Sequence, residues 1–343
     1  MYFVGLDVHY RSSAICILDR NGKVVKQTQV GGPVGKAVGV LDRLKRPFAI
    51  CYEASCGYGA LYDVLRGLAK RVVVAHPGQL RLIFKSKRKN DRVDAKKLAT
   101  LLFLDQVPQV YVPSVGVRSW RSLIEFRHRL VAKRTRAKNG LRSLLRGHGI
   151  TQPAKRRLWT KKGLAWLAGL ELPTEEADLQ RDVLLDELSM LETQIKRVER
   201  KLNAVGKQHP GVILLRTIPG VGPRTSEAVT AYIDNPGRFG RNKNIGAYFG
   251  LVPCQDQSAG SDRLGHITRE GPSTVRKVLV EATWQGIRRS EHIRAYFERV
   301  WRGDPKRKKI ALVATAHYLV RVMHAMLATG EAWREDSQEA KAA

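Results

Sequence analysis

The sequence predicts a mixed α/β domain at the N-terminus, a basic helical middle and a mostly helical C-terminal region. Three observations carry this. Short apolar runs alternate with helical patterns through about residue 110, apolar positions then recur at helical spacing, and a glycine-rich stretch after Pro210 gives way to helix.

The elements follow in order. YFVGLDV, SSAICILD and KVVKQTQV read as three consecutive strands, with DRNGK as a turn between the last two. GKAVGVLDRLKR then reads as a helix, FAICYEAS as a strand, GYGALYDVLRGLAK as a helix and RVVVAHP as a strand. DRVDAKKLATLLF is the closing helix. The order implies a mixed sheet that opens on an antiparallel meander. From Arg118 to Lys162 there are fifteen Lys or Arg and one acid, Glu125, while Leu123, Leu130, Ala137 and Leu144 recur at sevens. That is a long basic helix with one apolar seam. Leu184, Leu188, Leu191, Ile195, Val198, Leu202 and Val205 alternate by four and three, which is coiled-coil spacing. The two helices pack on each other or across a dimer; the spacing alone does not choose. KIALVATAHYLVRVMHAMLA reads as a core helix, and EDSQEAKAA as a disordered tail. The expected domains are 1–112, 113–208 and 209–332, with the tail over 333–343.

The 343 residues carry 61 Lys+Arg against 31 Asp+Glu, a net charge of +30, with an ordinary 43% hydrophobic content. Such an excess calls for a polyanionic partner, most often nucleic acid. No run of 18 apolar residues and no signal-peptide pattern is seen, so neither membrane nor export is expected. Cys16, Cys51, Cys56 and Cys254 have no CxxC or zinc-ligand spacing and read as thiols in a reducing cytoplasm.

The chemistry-bearing residues begin with KNDRVDAKK. Asp91 and Asp94 are three apart, so a helix puts both carboxylates on one face. Asp7 lies in the first strand and Glu53 near the C-terminal end of another, where ligands collect in open α/β sheets. Four converging carboxylates repel one another unless divalent cations neutralise them, and paired hard cations are the usual apparatus of in-line phosphoryl transfer. This set resembles a RuvC-like (RNase H fold) catalytic domain: Asp7 in GLDVH, Glu53 in YEAS, and Asp91 and Asp94 in KNDRVDAKKLA. Taken alone, the resemblance fits a metal-dependent junction nuclease that forms no covalent intermediate. A non-catalytic RNA- or DNA-binding scaffold is the third class.

Two further blocks bear on the choice. IPGVGPRTSEAVTAYI, from Ile218, is similar to a helix–hairpin–helix, in which backbone N–H groups at Gly220 and Gly222 would hold a phosphate. GLVPCQDQSAGSDRLGHITREGPSTVRKVLVEATW, from Gly250, puts Ser258 among small residues in a loop ahead of an Arg-rich helix starting near Thr274. Taken together over residues 1 to about 330, these blocks resemble the bacterial insertion-sequence DEDD transposases guided by a bridge RNA, the Piv/MooV-like recombinases of family one-ten. The resemblance implies that Ser258 is a nucleophile forming a phosphoserine bond with DNA. It implies that Asp7, Glu53, Asp91 and Asp94 hold Mg²⁺ (or Mn²⁺). Its implied partners are donor and target DNA, a non-coding guide RNA and further copies of the chain in a dimer or tetramer, where one protomer's carboxylates serve another's serine. A cytoplasmic, nucleoid-associated location follows. Arg121, Arg127, Arg134, Arg142 and Arg146 of the basic helix, and Arg263, Arg269 and Arg276 near the serine, are the expected nucleic-acid contacts.

The chain departs from the family pattern in three places. HYR follows the first Asp where a Lys is common, Ala259 separates Ser258 from Gly260, and Cys254 stands where Arg is common. Ser261 therefore stays a rival nucleophile, while Ser273 reads as a helix N-cap.

Overall fold

A computed structural model describes residues 1–83, 90–152, 157–258 and 260–335. Lys89 and Ala259, used in the sequence reading, lie outside them, as does most of the expected tail. The chain divides into two compact units, Met1–Arg118 and Ser119–Ala343.

In the first unit β1 (Tyr2–Val8), β2 (Ser12–Leu18) and β3 (Val24–Gly31) form the antiparallel meander. After α1 (Val34–Asp42), β4 (Phe48–Glu53) joins β1 in parallel. After α2 (Tyr58–Arg66), β5 (Arg71–Ala75) joins β4 in parallel, giving the order β3-β2-β1-β4-β5. Two helices follow, α3 (Pro77–Ile83) and α4 (Asp91–Phe103). The sequence reading missed α3, although Pro at a first helical position is a start signal.

Period-two alternation explains the layering. Ile15 and Ile17 of β2, with Val4, Leu6, Ile50 and Tyr52, pack against Ala37 and Leu41 of α1 and Leu61 and Leu65 of α2. The opposite face turns Ala14, Cys16 and Leu18 toward Ala95 and Ala99 of α4, and Cys51 and Val73 toward Leu98 and Leu102. Gly5 sets how closely α4 sits. A Cβ there would lie 2.0 Å from the Ala95 carbonyl oxygen and 2.5 Å from the Ala99 nitrogen, so only glycine lets the helix backbone rest on β1.

The second unit is built on two long helices, α5 (Val115–Gly147, from Ser119 onward) and α7 (Glu175–Gln208), with the short α6 (Lys161–Ala168) between them. The helices pack on each other within the chain. Leu130 meets Leu191 and Ile195, and Arg127 pairs with Glu199 while Lys138 faces Glu192, so they run antiparallel. The C-terminal core gathers α8 (Pro210–Leu215), α9 (Pro223–Ile233), α10 (Asn244–Tyr248), α11 (Ser273–Arg289), α12 (Glu291–Trp301) and α13 (Lys308–Thr329). Trp120 and Ile124 of α5 and Leu202 of α7 belong to the same core, so the middle and C-terminal regions share one interior. Among the described residues α13 is the one helix long and apolar enough by length and composition to cross a membrane, and half of its apolar stretch is buried in that core. Trp333, assigned to the tail, is packed: its backbone N–H donates to Thr217 Oγ1 at 3.1 Å.

Candidate active site

The carboxylate site is a consequence of strand pairing and of the Gly5 contact. Leu6 and Tyr52 are partners in the parallel β1–β4 ladder, so the next positions, Asp7 and Glu53, follow in register on one sheet face. Gly5 and Cys51 precede them on that face, the one α4 covers. With Ala95 seated over Gly5, the residue one turn earlier, Asp91, falls over the end of β1. Asn90 caps α4 by accepting from the Arg92 N–H at 3.0 Å, which fixes where the helix starts. Both acids then sit in the first turn, where the helix dipole favours negative charge.

The tightest grouping is Asp7, His9 and Asp91, whose ligand atoms lie within 4.8 Å of one another. His9 Nε2 is 3.1 Å from Asp7 Oδ2 and 3.3 Å from Asp91 Oδ1. Burial raises the Asp7 carboxyl above its ordinary range; His9 pulls it down, and Asp91 and Asp94 push it up further. Asp94 is bonded to Lys97 Nζ at 2.9 Å, and Glu53 is exposed at the end of β4. One imidazole nitrogen and two carboxylate oxygens at this spacing fit a divalent cation. His9 was missed by sequence reasoning, which counted carboxylates. The signal was Asp-x-His, since residues two apart on a strand share a face.

Ser258 ends β6 (Pro253–Ser258), which pairs with β7 (Ser261–Ile267); the expected loop is a two-stranded hairpin, and Ser258 is exposed at its turn. Ser261 is opposite Ser258 in the register. The base of the hairpin is clamped. Gly271, at φ 66°, brings its backbone so close that a Cβ would lie 2.0 Å from the Tyr248 carbonyl oxygen. Arg276 Nη1 donates to the carbonyls of Phe249 and Gly271, each at 3.2 Å, and of Glu270. Arg263 lies opposite Asp256 in the hairpin, and Arg269 has a left-handed backbone at its foot. Ser273 is the first residue of α11 and makes no cap; Pro272 holds the cap position.

The PGVG turn is partly a packing device. Gly220, at φ 89°, would put a Cβ 2.4 Å from the Gly286 nitrogen of α11. Gly222 caps α9 and has open space beside it. The basic helix likewise splits. Arg121 donates to the carbonyls of Ala231 and Tyr232, and Arg127 is held by Glu199. Arg134 is half-buried, whereas Arg142 and Arg146 are exposed, with Arg142 lying over Trp159. Arg129, Lys133 and Arg136 share that exposure and were not singled out from sequence. The clue was spacing: Arg127 falls between the seam residues Ile124 and Leu130, three from each.

Comparison with known proteins places both units among transposases. Residues 4–150 match a family model for DEDD transposases of the IS110 type, and residues 213–298 match one described as transposase IS116/IS110/IS902 family. A "Probable family 20 transposase" of Pseudomonas aeruginosa is 27% identical, covering 96% of this chain and 98% of its own length. A "Putative transposase y4qE" of Sinorhizobium fredii is 29% identical, with 82% and 71% covered. The "Transposase for insertion sequence element IS1111A" of Coxiella burnetii is 26% identical, with 96% and 91% covered.

Proposed function

The chain belongs to the IS110/IS116 family of DEDD transposases, and we propose that it cuts and rejoins DNA through a phosphoserine intermediate at Ser258 with divalent-metal assistance. The observation that carries the metal part is the Asp7–His9–Asp91 group at the end of β1, backed by Glu53 and Asp94. The order β3-β2-β1-β4-β5, with its antiparallel meander and parallel β4 and β5, supports a RuvC-like fold for the first unit.

In the proposed reaction the Ser258 Oγ–H adds to a backbone phosphorus and the P–O3′ bond breaks. The 3′ oxygen leaves with a proton, and the 5′ phosphate stays on Ser258. A 3′-hydroxyl from another strand then displaces the serine, so the phosphodiester is conserved without nucleotide hydrolysis. A bound divalent cation would stabilise charge on the attacking and leaving oxygens. Exposure of Ser258 on a hairpin with a clamped base supports its role, because a nucleophile must meet DNA while its geometry is held. Recognition of targets through a guide RNA, supported by the +30 charge and the exposed basic face of α5, and chain assembly as a dimer or tetramer complete the proposal.

Asp7→Asn tests the metal part. Strand cleavage should fall to background while DNA binding, read by fluorescence anisotropy, stays within about twofold. Retained cleavage refutes the metal reading. For guidance, the test is sequencing of RNA that survives a high-salt purification: one discrete structured species supports it, and only heterogeneous cellular RNA removes it.

A further inference from the structure

We infer that His9 is a direct ligand of the cation at the carboxylate centre, giving it a mixed nitrogen–oxygen donor set that favours a transition metal over Mg²⁺. The inference rests on the metal-assisted reading above and deepens it by naming the ligand and the class of metal.

The placement of His9 is built rather than incidental. Its backbone N–H donates to the Ser12 carbonyl at 2.9 Å, extending the β1–β2 pairing past Val8. That keeps His9 on the same face as Asp7, two residues before it. Asp91 arrives from the other side on a helix whose position the Gly5 contact and the Asn90 cap both fix. Two segments distant in sequence, a strand with its following turn and a helix N-terminus, therefore aim three donors at one point.

The bland alternative makes His9 a counter-charge for Asp7. The geometry is poorly suited to that alone. Both carboxylate oxygens converge on the same ring nitrogen, at 3.1 and 3.3 Å, and Nε2 carries at most one hydrogen to share between them. A cation at that position serves both oxygens and the nitrogen lone pair together. About 39% of the His9 side chain is exposed, which leaves a path for a metal to enter. Imidazole is a borderline donor that suits metals such as Co²⁺ and Zn²⁺, while Mg²⁺ takes oxygen ligands and retains water.

The test uses the full chain with Mn²⁺ as a paramagnetic probe, read by pulsed electron spin resonance. Wild-type protein should show nitrogen coupling to Mn²⁺ that changes character when its histidines carry ¹⁵N. In His9→Ala the coupling should vanish, and Mn²⁺ affinity should fall at least about tenfold, the loss that even an outer-sphere partner costs. His9→Asp, which keeps a ligand at the position, should still bind Mn²⁺ without nitrogen coupling. Its preference for Co²⁺ over Mg²⁺ should drop at least about tenfold. If His9→Ala does not fold, His9→Asp alone decides. Mn²⁺ bound to wild type without nitrogen coupling, or coupling that persists in the variants, overturns the role of His9. The metal reading survives that result provided Asp7→Asn abolishes binding. Failure of the wild-type chain to bind Mn²⁺ at all overturns both.

Discussion

Replacing Gly5 by alanine should damage the site without touching any of its ligands. The added Cβ would meet the Ala95 oxygen at 2.0 Å and the Ala99 nitrogen at 2.5 Å, both helix backbone. Ordinary contact begins near about 3.5 Å, so α4 must lift by about 1.5 Å. Overpacking of this kind costs about 1–3 kcal/mol. Lifting α4 also carries Asp91 and Asp94 away from Asp7 and His9, and a misplacement of about 1 Å can cost about 10²-fold in rate. All six tryptophans lie beyond residue 118, so their fluorescence does not report on this unit. Hydrogen exchange of β1 and α4 peptides does, and should accelerate by about 5- to 140-fold in Gly5→Ala. Gly39→Ala, at an α1 position with open space around it, is the control and should be neutral or stabilising by up to about 1 kcal/mol. Unchanged exchange in α4 together with full cleavage activity would refute the argument that Gly5 sets the site.

Other perturbations probe the second unit. Glu227 is buried 3.1 Å from Arg224, and burial pushes its carboxyl up to about 7 against the pull of that arginine. Its folded value exceeds its unfolded one, so the native state binds the extra proton. The contribution of Glu227 to stability should be greatest below about pH 4.3 and be lost as pH rises through about 7, by on the order of 3 kcal/mol. Glu227→Gln should flatten that slope in urea melts followed by tryptophan fluorescence, and an unaltered slope assigns the titration elsewhere. Gly220→Ala should lose about 2–4 kcal/mol in the same assay, since it combines a left-handed backbone with a clash on Gly286. Arg276→Ala should loosen the serine hairpin and lower cleavage while leaving the salt dependence of DNA binding unchanged. Arg146→Ala should instead reduce the slope of log affinity against log salt by about 1.

Much of the first unit was legible because its signals are local. Short continuous apolar runs mark β1, β2 and β4, and Asn90 with the apolar spacing behind it sets the start of α4. The hairpin bearing Ser258 was not legible as strands. Every residue of β6 is exposed, so PCQDQS has no buried face to impose alternation, and pairing with β7 holds it instead. The heptads of α5 and α7 announced apolar seams, but a seam does not name its partner; the opposed charges of Arg127 and Glu199 fix it only in three dimensions. Arg121, Arg127 and Arg276 were expected to meet phosphate, whereas each guanidinium is engaged inside its own unit. His9 was overlooked because the family pattern directs attention to acids, although its spacing from Asp7 placed it on their face.

The central proposal is the covalent step at Ser258, and peptide mass spectrometry of protein incubated with its insertion-sequence ends tests it most directly. The account predicts a nucleotide adduct on the peptide containing Ser258, absent in Ser258→Ala together with cleavage. Cleavage by Ser258→Ala, or an adduct mapped to Ser261 instead, would contradict it.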